Sequence, residues 1–83
     1  MASKRLLKKH VGEKIDALLG QCFDYIDQGG SEEKAETIMD EVADLYFDCM
    51  SRIRVAKAKG DIASMKADLA AKYTEFAKRI NAL

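Results

Sequence analysis

Proline is absent from all 83 residues, so no helix here is forced to kink or stop by a missing backbone donor. Histidine occurs once, at His10. A di-iron carboxylate bundle uses a Glu-x-x-His pair on each of two helices, and the chain has no Glu-x-x-His. Zinc takes three or four clustered His, Cys or acidic ligands; His10, Cys22 and Cys49 have no recognised ligand spacing. No apolar run approaches the roughly 20 residues that span a bilayer. The Gly29-Gly30 pair lacks the flanking strand and lysine of a phosphate-cradling loop. No internal repeat, linker or low-complexity tract breaks the chain. No catalytic residue, cofactor, metal or small-molecule substrate is therefore expected, and the chain reads as a non-enzyme.

What is present is three stretches with apolar residues at steps of three and four, the spacing of one helix face. The first carries Leu7, Val11, Ile15, Leu18, Cys22 and Ile26, widened by Leu19 and Phe23. Ser3 is the N-cap type expected to open it, and Gly29 the residue expected to close it. Gly12 and Gly20 interrupt it, each costing ~1 kcal/mol of helix propensity against alanine. The second carries Ala35, Ile38, Val42, Leu45, Cys49, Ile53 and Ala56, with Met39, Tyr46 and Met50 broadening the stripe to about 140°. It opens at Ser31 and has Glu32, Glu33 and Glu36 near its start, where the helix dipole favours acids. The third carries Ile62, Met65, Leu69, Tyr73, Phe76, Ile80 and Leu83.

Only Gln28-Gly29-Gly30-Ser31 and Lys59-Gly60-Asp61 separate these stretches, and links that short force antiparallel neighbours. The expectation is an all-α fold: one domain over residues 1–83, an up-down-up antiparallel three-helix bundle with helices over about 4–28, 32–59 and 62–82. Gly60 is expected to end the second helix and Asp61 to cap the third. The end of the second helix is open between Ile53 and Gly60.

The two cysteines fall on apolar stripes. In an antiparallel pair turning at Gly29-Gly30, Cys22 lies level with about Thr37 and Cys49 with about His10. They are then on the order of 15 Å apart along the axis, beyond the ~7 Å Cα separation a disulfide tolerates. Two small buried hydrophobes in a reducing compartment are expected. The start, through Lys4, Arg5, Lys8 and Lys9, has bases but no apolar block or cleavage site of a signal peptide. It offers about one basic turn, too little for membrane anchoring. A cytoplasmic location without membrane contact follows as the expectation. A Cys49–His10 nucleophile pair has no orienting third group and is set aside.

Fourteen bases balance fourteen acids, but they are sorted. Residues 1–10 hold four bases and no acid; residues 11–50 hold eleven acids against two lysines, giving −9; residues 51–83 hold eight bases against three acids, giving +5. Antiparallel folding gathers Lys4, Arg5, Lys8, Lys9, Arg52, Arg54, Lys57 and Lys59 at one pole. Helix-dipole complementation accounts for the bases ending the second helix but not for those opening the first. The alternative is a docking end for an anionic partner. Glu36, Asp40, Asp44 and Asp48 step by four along the second helix as a solvated face. Phe47 falls outside the apolar arc, on the side of Met50. With Met39, Met50 and Phe23 it forms a candidate patch for self-association or a partner helix.

Met1 to Lys9, Ala17-Leu18-Leu19-Gly20-Gln21-Cys22, Ser51-Arg52-Ile53 and Ile80-Asn81-Ala82-Leu83 resemble a group of short all-helical proteins from Bacteroidetes-type bacteria. The resemblance implies a three-helix fold, no known activity and no site residues. That group tends to have a proline-containing loop after the Ser-Arg-Ile equivalent, whereas Arg54 to Lys59 has no proline and reads as helix. The leading functional expectation is a small protein-interaction module, with an unknown protein or a second copy as partner. A nucleic-acid-associated accessory protein using the basic pole is the alternative; that pole has no interleaved aromatics or recognition-helix pattern.

Overall fold

The structure, a computed structural model, describes residues 4–83. Three helices follow one another: α1 (Lys4–Asp27), α2 (Glu32–Val55) and α3 (Lys59–Asn81). They pack as an all-α three-helix arrangement in which every pair of helices touches, α1 and α2 most extensively. The result is a rod with Cα extents of 44 × 19 × 15 Å. The Ser3 cap expected for α1 lies outside the described residues.

The core is the set of stripe residues. Leu18, Ile53, Met65, Val11, Val42, Cys22 and Cys49 are its fully buried side chains. Leu19, Tyr25, Ile26, Met39, Tyr46, Met50, Ile62 and Tyr73 pack half-buried around them. No polar or charged residue is buried among the described residues, so the core is held by apolar burial and shape alone. Each buried Leu, Ile or Met contributes about 1.5–3 kcal/mol on transfer from water.

The α1–α2 turn is tightly determined. Gly29 sits at φ 92°, a left-handed conformation that costs a residue with a Cβ about 1–2 kcal/mol. Its N–H donates to the Ile26 carbonyl and the Gly30 N–H to the Tyr25 carbonyl, both at 2.9 Å, the paired bonds of a Schellman ending. The Ser31 N–H donates to Tyr25 Oη at 3.1 Å, and Ser31 Oγ accepts from the Lys34 N–H at 3.4 Å. Tyr25 thus ties the end of α1 to the cap of α2.

The second turn corrects the sequence reading. α2 stops at Val55, not Lys59, and Ala56 turns into extended backbone at φ −62°, ψ 131°. α3 starts at Lys59, so Gly60 lies in its first turn rather than ending α2, and Ala58 rather than Asp61 is the N-cap. The cause is the Asp61 carboxylate. Oδ2 accepts from the Lys57 N–H at 3.1 Å and the Ala58 N–H at 3.2 Å. Those two bonds hold its carboxyl below the usual range. An acid at the third helical position reaches back to free backbone donors, and Lys57–Ala58 is held as a link instead of helix.

Candidate interaction surfaces

The basic pole forms where α1 begins and α2 ends. Lys4 Nζ donates to the Arg54 carbonyl at 3.2 Å, which fixes the two ends at one level. Beside it opens a depression of about 530 Å³ with Lys4, Lys57, Lys59 and Lys66 at its rim and Leu7, Ala56 and Ile62 on its floor. Lys8, Lys9 and Arg5 are exposed on the first turns of α1. Ammonium groups ringing an apolar floor raise the local potential and favour an anion with some apolar surface.

Arg52, assigned to this pole from its sequence position, is turned away from it. Its guanidinium donates to Asp68 Oδ2 at 2.7 Å and to Ser64 Oγ at 3.1 Å, and stands 3.7 Å from Asp48. It stitches α2 to α3, and the hydrogen bond to Asp68 raises its pKa further. Lys66, missed in the sequence reading, takes a place at the rim. Its signal is the step of four from Ile62, which puts it on the side of α3 that borders the start of α1.

A second stitch joins the far ends of the same two helices. Arg79 donates to Glu41 at 2.5 Å and its guanidinium lies 5.5 Å from the Phe76 ring centre. This hydrogen bond holds the Glu41 carboxyl below its usual range. The acidic ladder of α2, Glu36, Asp40, Asp44 and Asp48, is exposed along its whole length, and Asp44 and Asp48 also line a shallow groove with Lys72 and Phe76 of α3. Exposed pairs of this kind each contribute little, about 0–1 kcal/mol; their effect is on which flanks meet.

The aromatic patch lies elsewhere. Phe47 is 66% exposed and Phe23 52%. Met39 and Met50 are half-buried at the edge of the core. The Phe47 ring stands edge-on to Tyr46, centroids 5.6 Å apart at 73°. That contact leaves most of the Phe47 side chain in water.

No protein-family model, curated protein or solved structure matches this chain.

Cys22 and Cys49 are free thiols, both sealed in the core. Burial raises both thiol pKa values, which disfavours the nucleophilic thiolate. His10 lies in a groove between α1 and α3 with Lys14, Lys66 and Tyr73, and Lys14 Nζ sits 5.0 Å from the Tyr73 ring centre. Among the described residues no group of three or more His, Cys, Asp or Glu is placed to hold a metal ion. No described helix is long and apolar enough to cross a membrane.

Proposed function

We propose that this chain is a small, non-catalytic protein-interaction module of a bacterial cytoplasm, working through the α1–α2 face that carries Phe23, Met39, Phe47 and Met50. The observation that carries this reading is the exposure of two large aromatic rings, Phe23 and Phe47, beside methionines that are only half-buried. A ring left in water forfeits hydrophobic stabilisation, and aromatic and methionine side chains are enriched where proteins meet. The bacterial source rests on the resemblance of the helix-forming strings alone.

The test is retention on immobilised chain, with purified copies and native cell extract as separate inputs. Wild type is compared with Phe47→Glu and with Lys4/Lys57/Lys59/Lys66→Glu. Loss of a bound protein with Phe47→Glu but not with the lysine variant supports the reading. Retention indifferent to Phe47→Glu from both inputs overturns it.

A second reading is favoured by the lysine-rimmed depression: a nucleic-acid-associated accessory protein using the basic pole. Phosphate contacts made by several lysines show steep salt dependence. A gel shift on random RNA or DNA at low salt, lost at moderate salt and lost with the lysine variant, supports it. No shift at low salt removes it.

A further inference from the structure

The two seams of α3 treat their bases differently. On the α2 seam Arg52 binds Asp68 and Arg79 binds Glu41. On the α1 seam the depression at the basic pole, about 530 Å³, adjoins the groove of about 260 Å³ that holds His10. Lys66 lines both, with Ile62 in the first and Leu69 in the second. Along α3 the joined channel reaches from Lys59 to Thr74, a rise of about 22 Å. Lys4, Lys14, Lys57, Lys59 and Lys66 line it with His10, and among the described residues no carboxylate does. None of these lysines takes part in an ion pair among the described residues. The nearest acid of the second turn, Asp61, has its carboxylate on the Lys57 and Ala58 amides. On α1, the helical wheel sets Glu13 about 60° outside His10.

We propose that this channel seats an acidic amphipathic helix of a partner protein, laid along α1 and α3 as a fourth helix. It is a different face from the one that carries Phe47, and the inference stands apart from the reading of that face. The shape fits a helix. The channel is open on one side and walled by two helices, which is where a bundle receives its next member, with axes about 8–10 Å apart. About four turns of helix fill its length. Its floor is apolar, with Leu7, Ile62 and Leu69. Ala63 and Ala70, exposed and a heptad apart on the α3 wall, present no bulk to hold a helix off. Leu6, a step of four before His10 on the α1 side, is 62% exposed and extends the apolar rim.

Charge names the sign of the occupant. Lysines along both walls, without acids between them, repel one another and attract carboxylates. Arg52 and Arg79 show how a base is paired where a neighbouring helix supplies an acid; on the α1 seam the acids have to come with the partner. A sugar–phosphate chain would bring charge but no apolar stripe for the floor. It also needs rings on which bases stack, and Tyr73, the channel's one aromatic, has Lys14 over its face. A lipid surface is broad and flat, so it reaches the lysine rim but not the hollow. A helix with an apolar stripe between two rows of acids satisfies floor and rim together. This is helix-in-groove recognition, with flanking charges setting the choice of partner.

The experiment titrates ¹⁵N-labelled full chain at low salt with a synthetic peptide of about four helical turns, its leucines on one stripe and glutamates on both flanks. Three controls are a peptide with lysine for every glutamate, a peptide of the same composition with the leucines off the stripe, and a single-stranded RNA of equal length. Amide shifts are read by NMR, and circular dichroism confirms unchanged helicity of each variant. The acidic striped peptide is expected to saturate, shifting amides over 59–74 of α3 and the first turns of α1 but not over 39–50 of α2. Lys14→Glu/Lys66→Glu should weaken it about tenfold, the size of two rim charge reversals, and should tighten the lysine peptide instead. Moderate salt should weaken the wild-type complex. No saturation below about 1 mM overturns the proposal. So does equal binding of the off-stripe peptide, which would mean that charge alone is read, or tighter binding of the RNA. Shifts confined to the Phe47 face, or binding indifferent to Lys14→Glu/Lys66→Glu, overturn it as well.

Discussion

Replacing Gly30 by alanine probes the α1–α2 turn at its closest approach. A Cβ on Gly30 would enter the Tyr25 ring, meeting its Cζ and both Cε carbons. Gly30, unlike Gly29, does not sit at positive φ, so the penalty is steric rather than conformational. Tyr25 is half-buried against the core and its hydroxyl accepts from the Ser31 N–H. To admit the methyl, the ring must swing, losing a hydrogen bond of about 0.5–1.5 kcal/mol and disturbing packing by about 1–3 kcal/mol. The stiffer unfolded chain returns about 0.4–1 kcal/mol. The net expectation is a loss of roughly 1–3 kcal/mol.

Gly20→Ala is the paired control. Gly20 is inside α1 and a Cβ there meets nothing within 4 Å, so the change should add about 1 kcal/mol from helix propensity. For a chain of this size 1 kcal/mol moves the melting temperature by about 4–8 °C. Two identical substitutions ten positions apart should thus move stability in opposite directions. Urea unfolding followed at 222 nm, at a concentration where association is negligible, measures both. In a Tyr25→Ala background the Gly30→Ala penalty should vanish, since the obstructing ring is gone. A neutral or stabilising Gly30→Ala, or a penalty that persists without the ring, would refute the account of this turn.

Acid should weaken the Glu41–Arg79 stitch. The folded Glu41 carboxyl is held low by Arg79, so the pair stabilises above the unfolded carboxylate range and its contribution fades as pH falls through the depressed folded value. The stability gap between wild type and Glu41→Gln should be small, because both groups touch water, and should close on acidification below about pH 4; a gap that widens there contradicts the assignment. The thiols give a third check: Cys22 and Cys49 are fully buried with raised pKa values, so a thiol reagent at neutral pH should label them only as fast as the fold opens, with both reacting at once in denaturant. Rapid stoichiometric labelling of the native chain would mean that the core is not sealed.

Every buried residue belongs to a stripe that three-and-four spacing picks out, from Leu7 to Ile80, because one helix face is all a helix can bury in a thin bundle. The first turn was equally readable, since Gly29 supplies the left-handed residue such an ending favours. The second turn was not. Val55 to Lys59 contains nothing hostile to a helix, and Lys59-Gly60-Asp61 resembles a stop followed by a cap. What decides it is a carboxylate bonding backward to the Lys57 and Ala58 amides, a contact that residue types alone do not locate. The open surface was hidden for a deeper reason. An α1–α2 hairpin has two flanks, and apolar periodicity does not say which of them a third helix will cover. Here α3 lies on the flank of Glu41, Asp48 and Arg52, where Arg79 and Asp68 find opposite charges. On the other flank Arg79 would lose Glu41 and Arg52 would lose Asp68, while Phe47 and Met50 would be covered. Individually weak surface pairs thus line the flank that α3 occupies, and the other flank keeps its aromatic side chains uncovered.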